Sequence, residues 1–372
     1  MDSVVIKKCA EYKVDYIKKA IMEGLDMIGG IETFIKPGEK VLLKPNTLTG
    51  VSPDAAVTTH PEFLRAMIRI VKAKTQEVYV GDSPGGPFGF APAAKKAGMF
   101  KVIEDEGAKL MEFKEDVQVS GKNSLAYKNF KISAEIQKMD KIINLPKIKT
   151  HQLMHMTLCV KNMFGLIPGM RKVEYHLKAG SDKELFAKML VDFYNIVTPA
   201  LNIVDGIVGL EGKGPGADGE PIKLGVILMG TGGFSLDHAI AKLCGVEPDR
   251  VYTNAVYKKY ILKGAEPEYI IKGEQIKDVH KKIKTPPYDM RSNVPGPVYR
   301  LVKDLATPKP VFVREKCTGC LICVQNCPVT ALKYEGKQKG VICDYKKCIR
   351  CYVCHELCTY KAIKISRGLF KK

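Results

Sequence analysis

Two copies of one cysteine spacing pattern, near the carboxyl end, constrain this chain more than any other feature of its sequence. In each copy the cysteines are separated by two, two and three residues, and the second copy begins 31 residues after the first. Flanking residues repeat at the same interval, as Val311 and Ile342 or Ala331 and Ala362 show. The first run is Cys317, Cys320, Cys323 and Cys327, and the second is Cys348, Cys351, Cys354 and Cys358. This internal duplication predicts a small module with two equivalent halves.

The spacing predicts two iron–sulfur clusters with crossed ligands. Three cysteines on one tight loop can occupy three corners of a cube, but the fourth is too close in sequence to reach the remaining corner and ligates the other cluster. Zinc is the alternative, but two paired ligand sets would leave the third and fourth cysteines of each run unused. We therefore predict two [4Fe-4S] clusters, one held by Cys317, Cys320, Cys323 and Cys358 and the other by Cys348, Cys351, Cys354 and Cys327.

The other four cysteines, Cys9, Cys159, Cys244 and Cys343, are predicted to be small apolar packing residues. Disulfides are rare in a reducing compartment, so the dense cysteine cluster indicates metal or redox chemistry in a cytoplasmic protein. The start of the sequence has no signal-peptide pattern, and no apolar run approaches the roughly 18 residues that a membrane span needs. The sequence therefore predicts no membrane association.

The cysteine module resembles the bacterial two-[4Fe-4S] ferredoxins over its whole length. Thr359 stands where that family has proline, and Arg350 stands where the first repeat has Gly319. Neither departure removes a ligand, but both are expected to alter the loop and the cluster potential. The resemblance implies a small α+β domain that carries single electrons at low potential. Exposed clusters of that kind are sensitive to oxygen, so we expect an anaerobic or microaerobic setting.

Upstream of the module, short apolar runs alternate with stretches of helical spacing. Residues 4–8, 40–43, 78–81 and 141–145 are predicted strands, while residues 14–27 and 61–74 are predicted helices. This alternation favours an α/β fold, with a largely parallel sheet covered by helices on both faces. Dense prolines after residue 263 indicate a semi-rigid connector. The predicted domains are therefore an α/β domain at 1–263, a Pro-rich connector at 264–306 and the two-cluster ferredoxin domain at 307–372.

Polar motifs follow five of the predicted strands and indicate a binding site. The motifs start at Lys44, Asp82, Pro146, Asp205 and Gly230. Ligands of open α/β sheets bind outside the carboxyl ends of the strands, so we expect the five motifs to converge on one edge. Each of these residues taken singly is equally explained as a helix cap or a core group with its hydrogen bonds satisfied. The glycine-rich stretch 211–216 is equally explained as a plain turn. The candidate catalytic residues are Lys44, Asn46, His60, Asp82, Lys147, Lys149, His151, Lys161 and Asp205.

The charge distribution suggests partners. The chain has a net charge of +19, and residues 307–372 carry 14 Lys/Arg against 4 Asp/Glu. A basic tail favours an acidic redox partner protein, although a solvated lysine surface explains the same residues. Nucleic acid is an unlikely partner because no nucleic-acid fold signature is present. Residues 141–178 hold seven Lys/Arg, three histidines and one acid, which suggests a small anionic ligand.

Seven short segments of the upstream domain resemble the uncharacterised family known as domain of unknown function 362. The resemblance covers about residues 4–246, and a fused ferredoxin module is a common arrangement in that family. A weaker similarity links the domain to the lactate-racemase class of α/β proteins. The family implies no shared reaction. Three functions therefore stay open: an oxidoreductase that passes electrons between a soluble donor and an anionic substrate or cofactor, a non-catalytic electron-carrier subunit or docking module, and a non-redox enzyme with structural clusters. The matching segments are 42–46, 59–61, 81–84, 149–151, 161–162, 205–206 and 211–215.

Overall fold

The computed structural model describes residues 1–86, 89–169, 171–286 and 308–366. Within these ranges the strands are β1 (Asp2–Lys8), β2 (Val41–Pro45), β3 (Val78–Gly81), β4 (Lys109–Met111), β5 (Asp116–Ser120), β6 (Asn129–Ser133), β7 (Lys141–Leu145), β8 (Lys147–His151), β9 (His155–Thr157), β10 (Leu201–Gly212), β11 (Gly219–Gly230), β12 (Tyr269–Gly273), β13 (Pro310–Phe312), β14 (Leu332–Tyr334), β15 (Val341–Cys343) and β16 (Ile363–Ile365).

The helices of the described ranges agree with the predicted ones where the apolar spacing is clear. The second helix begins at Pro61, whose fixed backbone angle suits a first turn, and His60 Nδ1 caps it by accepting from the Glu62 backbone N–H at 3.2 Å. The helices are α1 (Val14–Asp26), α2 (Pro61–Lys72), α3 (Phe90–Lys96), α4 (Met99–Asp105), α5 (Cys159–Asn162), α6 (Arg171–Ala179), α7 (Lys183–Ile196), α8 (Gly233–Leu243), α9 (Tyr252–Val256), α10 (Ile276–Val279), α11 (Ile322–Gln325), α12 (Gly336–Lys339) and α13 (Val353–Leu357).

The main sheet has the strand order β12-β1-β11-β10-β7-β2-β3-β4. Along this path every strand runs in the same direction except β11, which is antiparallel to both of its neighbours. Side chains that alternate along β2 pack on opposite faces: Val41 and Leu43 contact the core under α1 to α4, and Leu42 contacts the core under α7. The predicted α/β fold, with a largely parallel sheet between two helical layers, is confirmed.

The reversed direction of β11 corrects one prediction about the sheet edge. Its last residue, Gly230, pairs with Asn202 near the start of β10 and therefore lies at the amino edge of the sheet. The following Gly232 lies against Asp2, where β1 begins, so closely that a Cβ atom there would overlap the carboxylate. The motif that starts at Gly230 is therefore on the opposite edge from those after β2, β3 and β7. An apolar strand pattern predicts burial but does not reveal strand direction.

The predicted connector is also partly wrong. Residues 269–273 form β12, which pairs in parallel with β1 at the sheet edge, and α10 follows at residues 276–279. Residues up to Ile283 pack on the core under α8. The α/β domain therefore extends well past residue 263. The remainder of the predicted connector, from residue 287, and the predicted boundary at residue 307 lie outside the described residues.

The carboxyl-terminal module is built as the duplication predicts. Two short antiparallel pairs, β13 with β16 and β14 with β15, each combine one strand from either repeat. Arg350 adopts a left-handed φ of 56°, close to the 70° of its counterpart Gly319. The loop is therefore retained despite the substitution, although a non-glycine residue is strained in this region. Of the helices in the described ranges, none combines the length and apolar character that crossing a bilayer requires.

Candidate functional site

A pocket lies where the carboxyl edge of the sheet meets α13 of the cysteine module. Its cavity volume is about 110 Å³. Six of the nine predicted catalytic residues line it: Lys44, Asn46, Asp82, Lys149, His151 and Lys161. The module contributes Asn326, Val353, Glu356 and Leu357. The pocket is therefore shared between the two parts of the chain, which the sequence did not predict.

Glycines let the module approach the sheet edge closely. A Cβ atom at Gly216 would lie 2.9 Å from the Glu356 carbonyl oxygen, and one at Gly85 would lie 2.6 Å from a Leu357 methyl group. An ion pair between Asp218 and Lys364 joins the β10–β11 connection to β16. These contacts place α13, which begins just before Cys354 and ends just before Cys358, as one wall of the pocket.

The pocket contains a buried ion pair. Lys44 lies near the end of β2 and Asp82 directly follows β3, and because these strands are adjacent and parallel the two side chains meet, with Lys44 Nζ 2.8 Å from Asp82 Oδ1. Asp82 Oδ2 also accepts from the Thr47 backbone N–H at 2.9 Å. Burial lowers the pKa of Lys44, and the neighbouring carboxylate opposes that shift. The pair packs directly on Gly165, where a Cβ atom would lie 2.2 Å from Asp82 Oδ1.

Lys149, on β8, is held by neutral oxygen atoms. Its Nζ donates to Asn46 Oδ1 at 2.6 Å and to the Val57 carbonyl oxygen at 2.8 Å. The Asn46 amide in turn donates to Asn162, which donates to Asn144. Burial lowers the pKa of Lys149 to about 7, and the positive charge of Lys161 adds to the effect. A lysine that titrates near neutral pH can act as a cation or as a proton acceptor.

Two further lysines face the pocket. Lys161 Nζ has no hydrogen-bond or ion-pair partner among the described residues, and burial lowers its pKa. Lys172 was not a candidate, although it lies in the basic stretch that the sequence singles out. Its Nζ bonds to the carbonyl oxygen and, at 2.9 Å, the hydroxyl of Ser83, and at 3.0 Å to the Pro84 carbonyl oxygen. Burial lowers the pKa of Lys172 to about 7.

His151 and Glu356 meet across the boundary between the two parts of the chain. His151 Nδ1 accepts backbone N–H groups of Leu153 at 3.0 Å and Met154 at 3.3 Å. A neutral ring therefore carries its proton on Nε2, which lies 3.2 Å from Glu356 Oε1. Burial, together with the charges of nearby lysines, lowers the pKa of His151 well below its usual value. The ring is neutral at physiological pH.

Glu356 is, with Lys172, a functional candidate that sequence reasoning missed. Burial raises the pKa of its carboxyl, and the ammonium groups of Lys161 and Lys149 oppose that shift. The signal in the sequence is slight: Glu356 is the acidic residue between Cys354 and Cys358 in a tail that is otherwise strongly basic. Its contact with the sheet edge depends on how the module docks, which no local pattern indicates.

The other three predicted residues do not line the pocket. Lys147 Nζ donates to Asp205 Oδ2 at 2.9 Å and to the Tyr12 hydroxyl at 2.6 Å, and Tyr12 donates to Asp205 Oδ1 at 2.8 Å. His60 stacks on Tyr12 with ring centroids 3.6 Å apart, and its backbone N–H donates to Asp205 at 3.0 Å. Burial lowers the pKa of His60 to about 4. These polar groups satisfy one another, so the network stabilises the fold and offers no open site.

The cysteines are arranged as a cluster site requires. Cys317, Cys320 and Cys323 of the first run and Cys358 of the second line one cavity. Around the other group, burial raises the pKa of Cys351 to about 12, and the thiols of Cys348 and Cys327 lie near enough to add to the rise. Each run therefore supplies three cysteines to one group and one to the other.

Two further observations support this fit. Backbone N–H groups of Ala331 and Ala362, which are equivalent in the two repeats, donate to Cys327 Sγ at 3.2 Å and Cys358 Sγ at 3.3 Å. Hydrogen bonds to cysteine sulfur are one of the means by which proteins set cluster potentials. In the described ranges no three histidine, cysteine or carboxylate side chains converge closely enough for a single metal ion. The cavity that the four thiols of the first group line suits a multi-atom cluster.

Comparison with known proteins identifies both parts of the chain. The family model described as "Domain of unknown function (DUF362)" matches residues 41–242, and the model described as "4Fe-4S binding domain" matches residues 310–333. A thylakoid-associated protein of Synechocystis sp. is 33% identical over 258 residues, which amount to 69% of this chain and 79% of that protein.

Two solved structures are similar to part of the chain. A crystal structure of a Thermotoga maritima protein matches with a TM-score of 0.38 and covers 53% of this chain, and the lactate racemase apoprotein from Thermoanaerobacterium thermosaccharolyticum matches with a TM-score of 0.36 and covers 54%. Both are 13% identical, and the chain spans about half the length of each, 51% and 50%. Similarity at this level carries no information about what the chain binds.

Proposed function

The chain belongs to the DUF362 family and carries a 4Fe-4S binding domain, and we propose that it passes single electrons between a soluble donor and an anionic substrate or cofactor held in the pocket. One observation carries this proposal. One wall of the lysine-lined pocket is α13, which contains Cys354 and ends one residue before Cys358. A ligand in the pocket is thus separated from the cluster ligands by little more than the residues of one short helix.

The proposal includes two [4Fe-4S] clusters with the crossed ligands given above. Each cluster supplies the chemistry of gaining or losing one electron at a time. Asn326, next to Cys327, and Val353, next to Cys354, line the pocket, and both cysteines belong to the second group. Leu357, next to Cys358 of the first group, lines it as well. With two of these three neighbours, the second cluster is the one that the proposal places nearer to the ligand.

The side chains of the α/β domain have the roles of binding and orientation. Lys149, Lys161 and Lys172 hold the negative charge of the ligand, since ammonium groups favour carboxylate and phosphate oxygens. His151, with its proton on Nε2, is available to donate a hydrogen bond to the ligand or to Glu356. Leu357 covers the side next to the module and excludes water.

The proposal also includes the class of protein that supplies the electrons. Exposed lysines surround the module, among them Lys333, Lys339 and Lys347, whose side chains are 76%, 71% and 63% exposed. An acidic redox protein of the cytoplasm would be attracted to this surface by long-range electrostatics. Cys320 is the exposed cysteine of the first group, so electrons enter through the first cluster.

A second candidate is a non-catalytic electron carrier or docking subunit. Tyr360, which lines the cavity of the first cysteine group, is 50% exposed, and Ile342 in the same module is 41% exposed. Exposed aromatic and aliphatic side chains beside a redox centre favour docking to another protein. In that case the pocket is not needed for electron transfer.

The deciding experiment starts from anaerobic protein with its clusters chemically reduced. Small anionic metabolites are added in turn, and cluster reoxidation is followed by absorbance. Reoxidation by an acceptor that is lost in Lys149→Met, but retained in Lys178→Met on the exposed side of α6, supports an oxidoreductase. Reoxidation only by a protein partner, unchanged in Lys149→Met, supports the carrier. Fewer than six irons per chain in anaerobic material would refute the assignment of two clusters.

A further inference from the structure

The pocket contains more positive than negative groups. Lys44 is neutralised by Asp82, but the ammonium groups of Lys149 and Lys172 bond only to neutral oxygen atoms of amides, carbonyls and a hydroxyl. Lys161 has no hydrogen-bond or ion-pair partner within the described residues. A buried charge without an opposite charge is costly, so three unneutralised lysines in one pocket require an explanation.

The remaining polar groups of the lining do not supply the missing charge. Glu356 is the one other carboxylate among the lining residues. His151 and His176 add no positive charge, because burial lowers the pKa of His151 well below its usual value and that of His176 to about 3. With all four side chains ionised, three lysines against one glutamate leave an excess of two positive charges among the lining residues.

We propose that the ligand of this pocket is a small dianion, with its two negative charges placed among Lys149, Lys161 and Lys172. This rests on the proposed function for its choice of site, and it adds the charge class of the ligand. A cavity of about 110 Å³ admits a short dicarboxylate or a single tetrahedral dianion, and both offer the same two charges. A monoanion leaves one lysine unneutralised.

Binding of a dianion has a consequence for protons. Burial lowers the pKa of both Lys149 and Lys172 to about 7. A dianion beside them favours the charged ammonium form, so above neutral pH binding takes up protons and the affinity falls as pH rises. Each lysine contributes at most a tenfold loss of affinity per pH unit. The charged groups that act on these two lysines are Lys44, Lys147, Lys161, Asp82 and Glu356.

The test is isothermal titration calorimetry on the full, cluster-loaded chain, kept oxidised and anaerobic. The probes are malonate and succinate, their matched monoanions propionate and butyrate, and sulfate. Each is measured at about pH 6.5, 7.5 and 8.5, in two buffers with different ionisation enthalpies, which yields the number of protons taken up. We expect one dianion to bind at least tenfold more tightly than the monoanions, with proton uptake that rises with pH. Preference for sulfate over the dicarboxylates identifies a tetrahedral group.

Two substitutions locate the site. Lys161→Met and Lys172→Met are expected to weaken dianion binding at least tenfold, whereas Lys178→Met, an exposed lysine on the same helix as Lys172, leaves it unchanged. Iron content and circular dichroism check folding, and Lys161→Gln serves if the methionine variant is unstable.

Three results would overturn the inference: monoanions that bind as tightly as dianions, no binding by any probe at millimolar concentration, or wild-type affinity in Lys161→Met. Because no electrons are supplied, these outcomes are separate from the proposed function. A dianion that binds but never reoxidises reduced clusters removes the oxidoreductase and leaves the inference intact. Reoxidation of the clusters by a monoanion or a neutral acceptor, with no dianion bound, removes the inference and leaves the oxidoreductase intact.

Discussion

The buried pair of Lys44 and Asp82 allows a quantitative test of the pocket. The two side chains are 1% and 4% exposed and 2.8 Å apart. Asp82→Asn keeps the size of the side chain but leaves the Lys44 ammonium group buried without an opposite charge. Breaking one half of such a pair costs about 3–5 kcal/mol. At about 2–4 °C per kcal/mol for a large domain, the melting temperature should fall by roughly 6–20 °C.

The double variant Lys44→Met/Asp82→Asn should recover much of this loss. It removes both charges together and leaves an apolar side chain of similar length, and replacing a buried pair is often close to neutral. The recovered part is the coupling between the two residues, which a double-mutant cycle measures.

The assay is urea unfolding of the anaerobic full-length protein, followed by circular dichroism. A chain with two folded parts need not unfold in one step, so hydrogen exchange of peptides from β2 and β3 reports the local effect separately. The matched control is Glu77→Gln, because Glu77 and Lys109 are also 2.8 Å apart but their side chains are 35% and 50% exposed. This exposed pair should give no resolvable change. Equal effects of Asp82→Asn and Glu77→Gln would refute the reasoning.

Three further predictions follow from single residues. Since the pKa of Lys149 is lower in the folded chain, the unfolded chain binds more protons above pH 7, and Lys149 should make the unfolding free energy rise with pH between 7 and 9. The unfolding free energy from urea titrations should therefore rise with pH by about 1 kcal/mol per pH unit less in Lys149→Met than in the wild type. Cys343→Ser should keep the full iron content of the wild type, because Cys343 pairs with Leu332 between β14 and β15 and is not a predicted ligand; since its thiol contacts that of Cys348, a loss of iron would make it one. Gly319→Ala should destabilise the module by about 1–2 kcal/mol, because the φ of Gly319 is 70° and a Cβ atom there would lie 2.8 Å from the Tyr334 hydroxyl. Arg350→Ala is the control, because the equivalent position already carries a Cβ atom, and hydrogen exchange should show no change in its loop.

Much of the candidate site could be predicted because parallel strands bring their ends together. Lys44 ends the apolar run of β2 and Asp82 directly follows β3, and the adjacency of these two strands makes the side chains meet. The same reasoning fails at Gly230, because β11 is antiparallel and carries its end to the opposite edge. Strand direction depends on the path of the whole chain, and an apolar run of residues has no local sign of it.

Neighbouring residues of one strand also proved to have different surroundings. Lys147 and Lys149 lie two positions apart on β8, yet Lys147 is neutralised by Asp205 and Lys149 faces the pocket. The sequence assigned both to the same anion site. Only the packing of Tyr12 against His60 and Asp205 shows that the first lysine has its charge satisfied.

The sequence by itself determined the cysteine module, because the spacing between ligands on a short loop is a covalent constraint that holds in any surrounding structure. It also determined the α/β class, since the alternation of buried strands and helices is a local property. The tertiary structure decided where the pocket lies and that Glu356 enters it, because the docking of α13 on the sheet edge joins residues some two hundred positions apart. Contacts over such separations depend on the packing of the whole chain, and no short segment contains them.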